Sequence, residues 1–190
     1  MFYTIGHSTR SIEEFVSILK SVAVTFVADV RTVPRSRTNP QYNRDALPQS
    51  LAGHGIGYEH IASLGGLRGK ARNVPPGVNA FWRNASFHNY ADYAMSGDFR
   101  AGFARLLEIG RGQRSVIMCA EILWWRCHRR IIADYLLAGG EEVFHLMGEG
   151  NAERARMTPG ARTDDSGILT YPADFAAEKG GLPVKPRSGG

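Results

Sequence analysis

The 190-residue sequence contains only two cysteines, Cys119 and Cys127, and no long apolar run. Two cysteines cannot build the set of disulfide bridges that holds a small secreted domain together, and a cytosolic pair is more often reduced, catalytic or metal-binding. No stretch approaches the roughly 18 apolar residues that span a bilayer, and the first residues lack the charged and apolar regions of a secretory signal. We therefore predict a cytoplasmic protein without membrane association.

The sequence also lacks internal repeats and a biased composition. Apolar residues make up 43% and charged residues 22% of the chain, which is close to globular averages and argues against global disorder. The absence of repeats argues against solenoids and propellers. We predict one α/β domain over residues 1–150. After it, an appended and partly ordered tail is expected at 151–190, where periodicity is lost and glycine, proline and charge increase.

Predicted strands and helices alternate along the domain. Short apolar, β-prone runs occupy residues 2–5, 22–30, 56–61, 115–118 and 142–147. Helical periodicity lies between most of them, and the first helix is preceded by a capping box formed by Ser11 and Glu14. Parallel strands require crossover connections, so this alternation indicates a mostly parallel sheet. The predicted fold class is α/β, a three-layer Rossmann-like arrangement with helices on both faces.

Reactive and polar residues follow the predicted strands. His7 and Ser8 follow the first, Arg31 follows the second, and Cys119 and Glu121 follow the fourth. Ligand sites of open α/β sheets lie outside the carboxyl ends of the strands. The sequence therefore predicts a site at this edge of the sheet.

The segment Cys127-His128-Arg129 is predicted to open the next helix. Free backbone N–H groups and the helix dipole favour an anion there, and a thiol in that position can have its pKa lowered. The spacing from Cys119 to Arg126 does not match that of cysteine phosphatases. A second option is metal binding by Cys119, Cys127 and His128, although their spacing matches no standard zinc motif.

Residues 31–83 form a basic stretch with eight basic and two acidic side chains. Either it binds phosphate or a nucleic-acid backbone, or it is a solubilising surface. No recognisable nucleic-acid-binding motif accompanies it. Arg31, Arg35 and Arg68 are its candidate anion-binding residues.

Four groups of residues are distinctive together: Thr4-Ile-Gly-His-Ser8; Asp29-Val-Arg31 with Pro34-Arg-Ser36; Tyr58-Glu-His-Ile61 with Leu64-Gly-Gly66; and Cys119-Ala-Glu121 with Cys127-His-Arg129. With these segments the chain, over residues 3–150, resembles the domain of unknown function 488 family of small bacterial proteins. The resemblance implies a compact α/β domain with a site that draws on those segments. It implies no particular reaction. Trp124 and Trp125 stand where many relatives carry more polar residues.

The leading hypothesis is an enzyme that acts on a phosphorylated or nucleotide-like anionic substrate, and the sequence does not identify its cofactor. Its catalytic candidates are Cys119 or Cys127 as nucleophile or ligand, with Glu121 and His7 as acid and base. The candidate residues for binding the anion are Ser8, Arg31, Arg35, Arg68, His128 and Arg129. The alternative is a non-catalytic nucleic-acid-binding or regulatory module that uses the basic stretch.

Overall fold

The computed structural model describes residues 1–173 of the chain. This part alternates strands and helices through most of its length. The strands are β1 (Phe2–Gly6), β2 (Phe26–Asp29), β3 (Gly57–His60), β4 (Ser115–Cys119), β5 (Val143–Gly148), β6 (Asn151–Arg154), β7 (Arg162–Thr163) and β8 (Leu169–Thr170). The α-helices are α1 (Ile12–Ser21), α2 (Leu47–Ala52), α3 (Ala85–Ala94), α4 (Gly97–Gly112) and α5 (Arg129–Ala138).

A six-stranded sheet in the order β3-β2-β4-β1-β5-β6 forms the centre of the protein. Strands β1 to β5 pair in parallel, and only β6 runs antiparallel, against β5. Because β4 lies between β1 and β2, the carboxyl ends of these three strands meet at one edge. This edge is where the sequence places most of its candidate site residues.

Helices cover both faces of the sheet. On one face, Phe15 of α1 and Leu51 of α2 pack with Ile5 and Met118 of the sheet. On the other, side chains of α3, α4 and α5, such as Phe99 and Ile132, pack against the sheet. Burial of apolar surface on both faces explains why the strands read as continuous apolar runs. The three-layer, mostly parallel α/β fold predicted from the sequence is confirmed.

Strand β2 is shorter than its apolar run predicts. The prediction began at residue 22, but Val22 caps α1 and Ala23 has a left-handed φ of 54°. The first residues of the run therefore end a helix and turn the chain before β2 begins at Phe26. Apolar composition alone did not distinguish a packed turn from a strand.

Residues 151–173, at the start of the predicted tail, pack on the domain. Strand β6 extends the main sheet, and the short strands β7 and β8 pair with each other. Tyr171 is fully buried, and its hydroxyl donates to the carboxylate of Asp134 at 3.0 Å. The rest of the predicted tail, 174–190, lies outside the described residues. None of the helices within residues 1–173 has the length and apolar character needed to cross a membrane.

Candidate functional site

A cavity of about 320 Å³ opens beyond the carboxyl ends of β2 and β4. Its polar lining includes Arg31, Glu121, Arg126 and His128, and its lining also includes both cysteines. The apolar side chains Val33, Leu67 and Phe87 form other parts of the wall. The fold thus places residues from four separate segments around one small space.

Cys119, Cys127 and His128 form a compact cluster in this lining. Cys119 ends β4, and His128 is the N-cap residue of α5. One potential ligand atom from each of the three residues lies within 4.8 Å of the others. Cys127 Sγ lies 3.6 Å from His128 Nδ1, and both cysteines are free thiols. Residues from a strand end and a helix start therefore meet at a single point.

The His128 ring is held in one orientation. Its Nε2 donates to the carbonyl of Val30 at 3.0 Å, so in the neutral ring Nδ1 is the unprotonated nitrogen and faces Cys127. The backbone of Gly66 lies against the ring, and a Cβ added there would come within 2.4 Å of Nδ1. This contact explains the second glycine of the Leu64-Gly-Gly66 segment.

Arg129 is fully buried behind the cluster. Its Nε donates to Cys127 Sγ at 3.3 Å, Nη1 to the hydroxyl of Thr4 at 3.4 Å, and Nη2 to the carbonyl of Glu121. None of the ion pairs found within residues 1–173 joins Arg129 to a carboxylate. A buried guanidinium needs an anionic partner, and the thiol of Cys127 is the adjacent group that can become one.

The two thiols have opposite protonation tendencies. Burial acts to raise the pKa of Cys127, but the hydrogen bond from Cys119 and the charge of Arg129 outweigh it and lower that pKa well below the usual value. The same hydrogen bond to Cys127, together with burial, raises the pKa of Cys119. The metal-free site therefore favours a Cys127 thiolate that accepts a hydrogen bond from the Cys119 thiol.

Glu121 and Arg126 bring exposed charges to the cavity. Glu121 Oε1 accepts from the backbone N–H of Leu123 at 3.0 Å, which orients the carboxylate. The loop that carries Glu121 packs directly on the backbone of Gly6, because a Cβ at Gly6 would lie 2.0 Å from the Glu121 carbonyl oxygen. The two charged side chains give the cavity one basic and one acidic group.

Arg31 reaches the cavity lining while held on its other side. Its guanidinium donates to both carboxylate oxygens of Asp29, at 2.6 to 3.1 Å, and to the carbonyl of Tyr42 at 2.7 Å. Tyr58 also donates to Asp29, at 2.8 Å. The Asp29 and Arg31 pair is consequently a well-satisfied buried ion pair.

His7 lies behind Arg31 and outside the cavity lining. Its Nδ1 donates to the carbonyl of Ser8 at 2.8 Å, and its Nε2 accepts from Arg31 Nη1 at 3.2 Å. The ring stacks on Tyr42 with centroids 4.0 Å apart. Burial lowers the pKa of His7 to about 4, and the charge of Arg31 contributes. Both ring nitrogens are engaged, so the ring is a neutral support for Arg31.

The remaining predicted anion-binding residues are placed elsewhere. Ser8 has a left-handed φ of 49°, and its peptide N–H donates to the Ala120 carbonyl at 3.0 Å. Arg68 donates to backbone carbonyls, including that of Gly65, and lies over the Tyr93 ring. Arg35 is exposed and lines a separate surface depression with Arg44. The cavity therefore brings together Arg31, His128 and the cysteines but not these three residues.

Sequence reasoning did not identify the apolar wall of the site. Phe87 lies on α3 and Leu67 on the preceding loop, far in sequence from Cys119. Phe87 stacks on Trp82 with ring centroids 4.8 Å apart. Apolar residues carry no chemical signature, so only the tertiary fold could assign them. The glycine-rich run at 64–69 was the one signal that a loop closes on the site.

Comparisons with known proteins identify a family but no characterised relative. The model of a family described as Domain of unknown function DUF488 matches residues 11–136, which is more than half of the chain. The match includes Arg31, Glu121, both cysteines and His128, whereas His7 and Ser8 precede it. No curated protein and no solved structure matches the chain.

Proposed function

The chain belongs to the family of Domain of unknown function DUF488, and we propose that it is an enzyme acting on a small anionic, nucleotide-like substrate. The substrate binds in the cavity over Cys119, Cys127 and His128. The observation that carries the proposal is the fully buried Arg129, which has a thiol beside it in place of a carboxylate. Clusters of reactive groups in one cavity are typical of active sites.

Cys127 is the central group in this proposal. The thiolate is the form of cysteine that attacks electrophiles and that binds metals. Arg129 and the hydrogen bond from Cys119 favour that form. A packed structural cysteine would need neither a buried cation nor a second thiol beside it.

Three side chains of the cavity fit an anionic, nucleotide-like ligand. Arg126 is exposed at the lining and offers a positive charge to the anionic group. Arg31 Nη1 carries two hydrogens, and His7 takes one of them, which leaves a second donor for the ligand. Phe87 supports stacking of a flat group, as aromatic side chains do with bases.

Glu121 is the proposed proton carrier. It lines the cavity beside the cysteines and is exposed, so it can exchange protons with water. The predicted acid–base role of His7 has less support, because both of its ring nitrogens are engaged. We assign His7 to positioning Arg31.

Calorimetric titration of the full chain with nucleoside monophosphates tests the proposal. Arg126→Ala should weaken binding at least about tenfold, since a hydrogen bond to a charged group contributes about 1.5–3 kcal/mol. Arg35→Ala is the matched control, because it removes an exposed arginine outside the cavity. Glu121→Gln should bind the nucleotides as the wild type does but should not turn them over.

The reverse pattern would favour the alternative function. If Arg35→Ala weakened binding and Arg126→Ala did not, the basic stretch would be the binding surface. Affinity for nucleic acid should then fall steeply with salt concentration, because bound counterions are released. The proposed enzyme would be contradicted if the wild-type chain bound no nucleotide and Glu121→Gln did not differ from the wild type.

A further inference from the structure

We propose that Cys119, Cys127 and His128 bind a zinc ion whose fourth coordination position opens into the cavity. This inference deepens the proposed function and rests on the same site. Two thiolates and one imidazole form a ligand set found in catalytic zinc sites, where water or substrate occupies the fourth position. Thiolate ligands favour zinc over magnesium or calcium, which prefer oxygen ligands.

The spacing of the three ligand atoms suits a tetrahedral ion. Zinc lies about 2.3 Å from a thiolate and about 2.0–2.1 Å from an imidazole nitrogen, so tetrahedral ligand atoms are roughly 3.5–4 Å apart. The distance from Cys127 Sγ to His128 Nδ1 is 3.6 Å. All three ligand atoms lie within 4.8 Å of one another. Small side-chain adjustments would therefore complete the coordination.

The surroundings of the ligands match those of metal sites. A histidine that binds a metal usually donates its other ring nitrogen to a carbonyl or carboxylate, which fixes the tautomer. His128 Nε2 donates to the Val30 carbonyl, so Nδ1 is the nitrogen left to bind. Arg129 donates to Cys127 Sγ. Gly66 keeps space for the ring, because a Cβ there would collide with it.

Charge balance links the ion to the substrate. Two thiolates neutralise a divalent ion, and the positive charge of buried Arg129 then remains beside the site. An anionic group at the open position would compensate that charge. Glu121 lines the same cavity and is not among the three ligands, so it is available as an acid or base for a bound water.

Metal analysis of the full-length protein, purified under reducing conditions, tests the site. The wild-type protein and Glu121→Gln should each carry about one zinc per chain, as expected for a single catalytic site. Cys127→Ser and His128→Ala should lose most of it. Arg126→Ala is the matched control: it changes the cavity without removing a ligand and should retain the metal.

Cobalt replacement in the wild-type chain supplies a readout independent of the variants. After zinc removal with a chelator, cobalt bound by two thiolates should give intense visible bands of tetrahedral geometry and a thiolate charge-transfer band near the ultraviolet. Circular dichroism before and after removal checks the fold. This spectrum decides the matter even if Cys127→Ser fails to fold.

The outcomes separate the metal from the proposed function. A wild-type protein that binds nucleotides but takes up neither zinc nor cobalt would overturn the zinc site and leave the enzyme proposal standing. A cobalt spectrum without thiolate bands would also overturn it. Zinc uptake without nucleotide binding would support the metal site and contradict the nucleotide-like substrate.

Discussion

Two buried arginines lie at the same edge of the sheet, and their partners differ. Arg31 is 5% exposed and faces the carboxylate of Asp29, whereas Arg129 is 0% exposed and faces the thiol of Cys127. A carboxylate beside a cation forms a permanent ion pair. The pKa of the Cys127 thiol is lowered, against the effect of burial, by its hydrogen bond to Cys119 and the charge of Arg129, and the thiolate is the nucleophilic form of cysteine. The comparison separates the region around Arg31 and Asp29, called the supporting region, from the region around Arg129 and Cys127, which we propose takes part in the reaction and call the reacting region.

Each arginine also has a buried histidine near it. His7 lies against Arg31, and His145 is linked to Arg129 through the hydroxyl of Thr4. Burial lowers the pKa of each histidine to about 4, and the nearby arginine adds to the shift. Neutral rings beside the cations avoid further positive charge. Both regions therefore depend on histidines that stay unprotonated at neutral pH.

The largest expected effect comes from removing the cation of the supporting region. Arg31→Met leaves the buried Asp29 carboxylate without its partner, which should lower the free energy of unfolding by about 3–5 kcal/mol. Urea denaturation at neutral pH measures this. Arg105→Met is the matched control, because it breaks only exposed pairs, with Glu59 and Glu108, and should cost much less than Arg31→Met. Equal losses would show that Arg31 is no more structural than a surface arginine.

The sequence predicted the reacting region better than the supporting one. Cys119, Glu121, Cys127 and His128 carry distinctive chemical groups, and the α/β fold fixes strand ends at one edge, so their convergence could be predicted. Arg31 was predicted as an anion ligand, and the proposed function keeps that role for one hydrogen of its Nη1. The sequence does not show that the two oxygens of Asp29 hold the Nε and Nη2 side of its guanidinium. Pairing of side chains depends on distances that only the fold defines.

The predicted tail shows a second limit of sequence reasoning. The sequence predicted a partly ordered tail, but the loss of periodicity from residue 151 did not indicate the surface against which Leu169 and Tyr171 are buried. Isolated apolar residues in a polar segment have no period, so their burial depends on the surface against which they pack. For Tyr171, that surface includes Asp134, whose carboxylate accepts a hydrogen bond from the Tyr171 hydroxyl.

Acid should destabilise both regions through their histidines. A folded pKa of about 4 for His7, below its ordinary 6.5, stabilises the fold above pH 6.5, and this contribution is lost as the pH falls toward 4. The full shift corresponds to about 3 kcal/mol. His7→Gln keeps an acceptor for Arg31 and should flatten the dependence of unfolding free energy on pH between 6.5 and 4. His145→Gln should flatten it similarly.

The measurement is urea denaturation at a series of pH values, with metal removed from every sample. Carboxylates also titrate near pH 4. The relevant quantity is therefore the difference between wild type and variant in the slope of unfolding free energy against pH. An unchanged slope in His7→Gln would mean that the pKa of His7 in the folded protein is close to its ordinary 6.5, so burial next to Arg31 would not be what keeps the ring neutral.

The smallest expected effect is the loss of the cation from the reacting region. Arg129→Met leaves the Glu121 carbonyl and Thr4 hydroxyl without their donor, which should cost about 1–3 kcal/mol in metal-free, reduced protein. The loss should be smaller than that of Arg31→Met, although Arg129 is the more buried side chain. The reason is the group left behind, since a neutral buried thiol is tolerated as a small apolar side chain and a carboxylate is not. A loss as large as that of Arg31→Met would mean that Arg129 is mainly structural, and the contrast between the two arginines would fail.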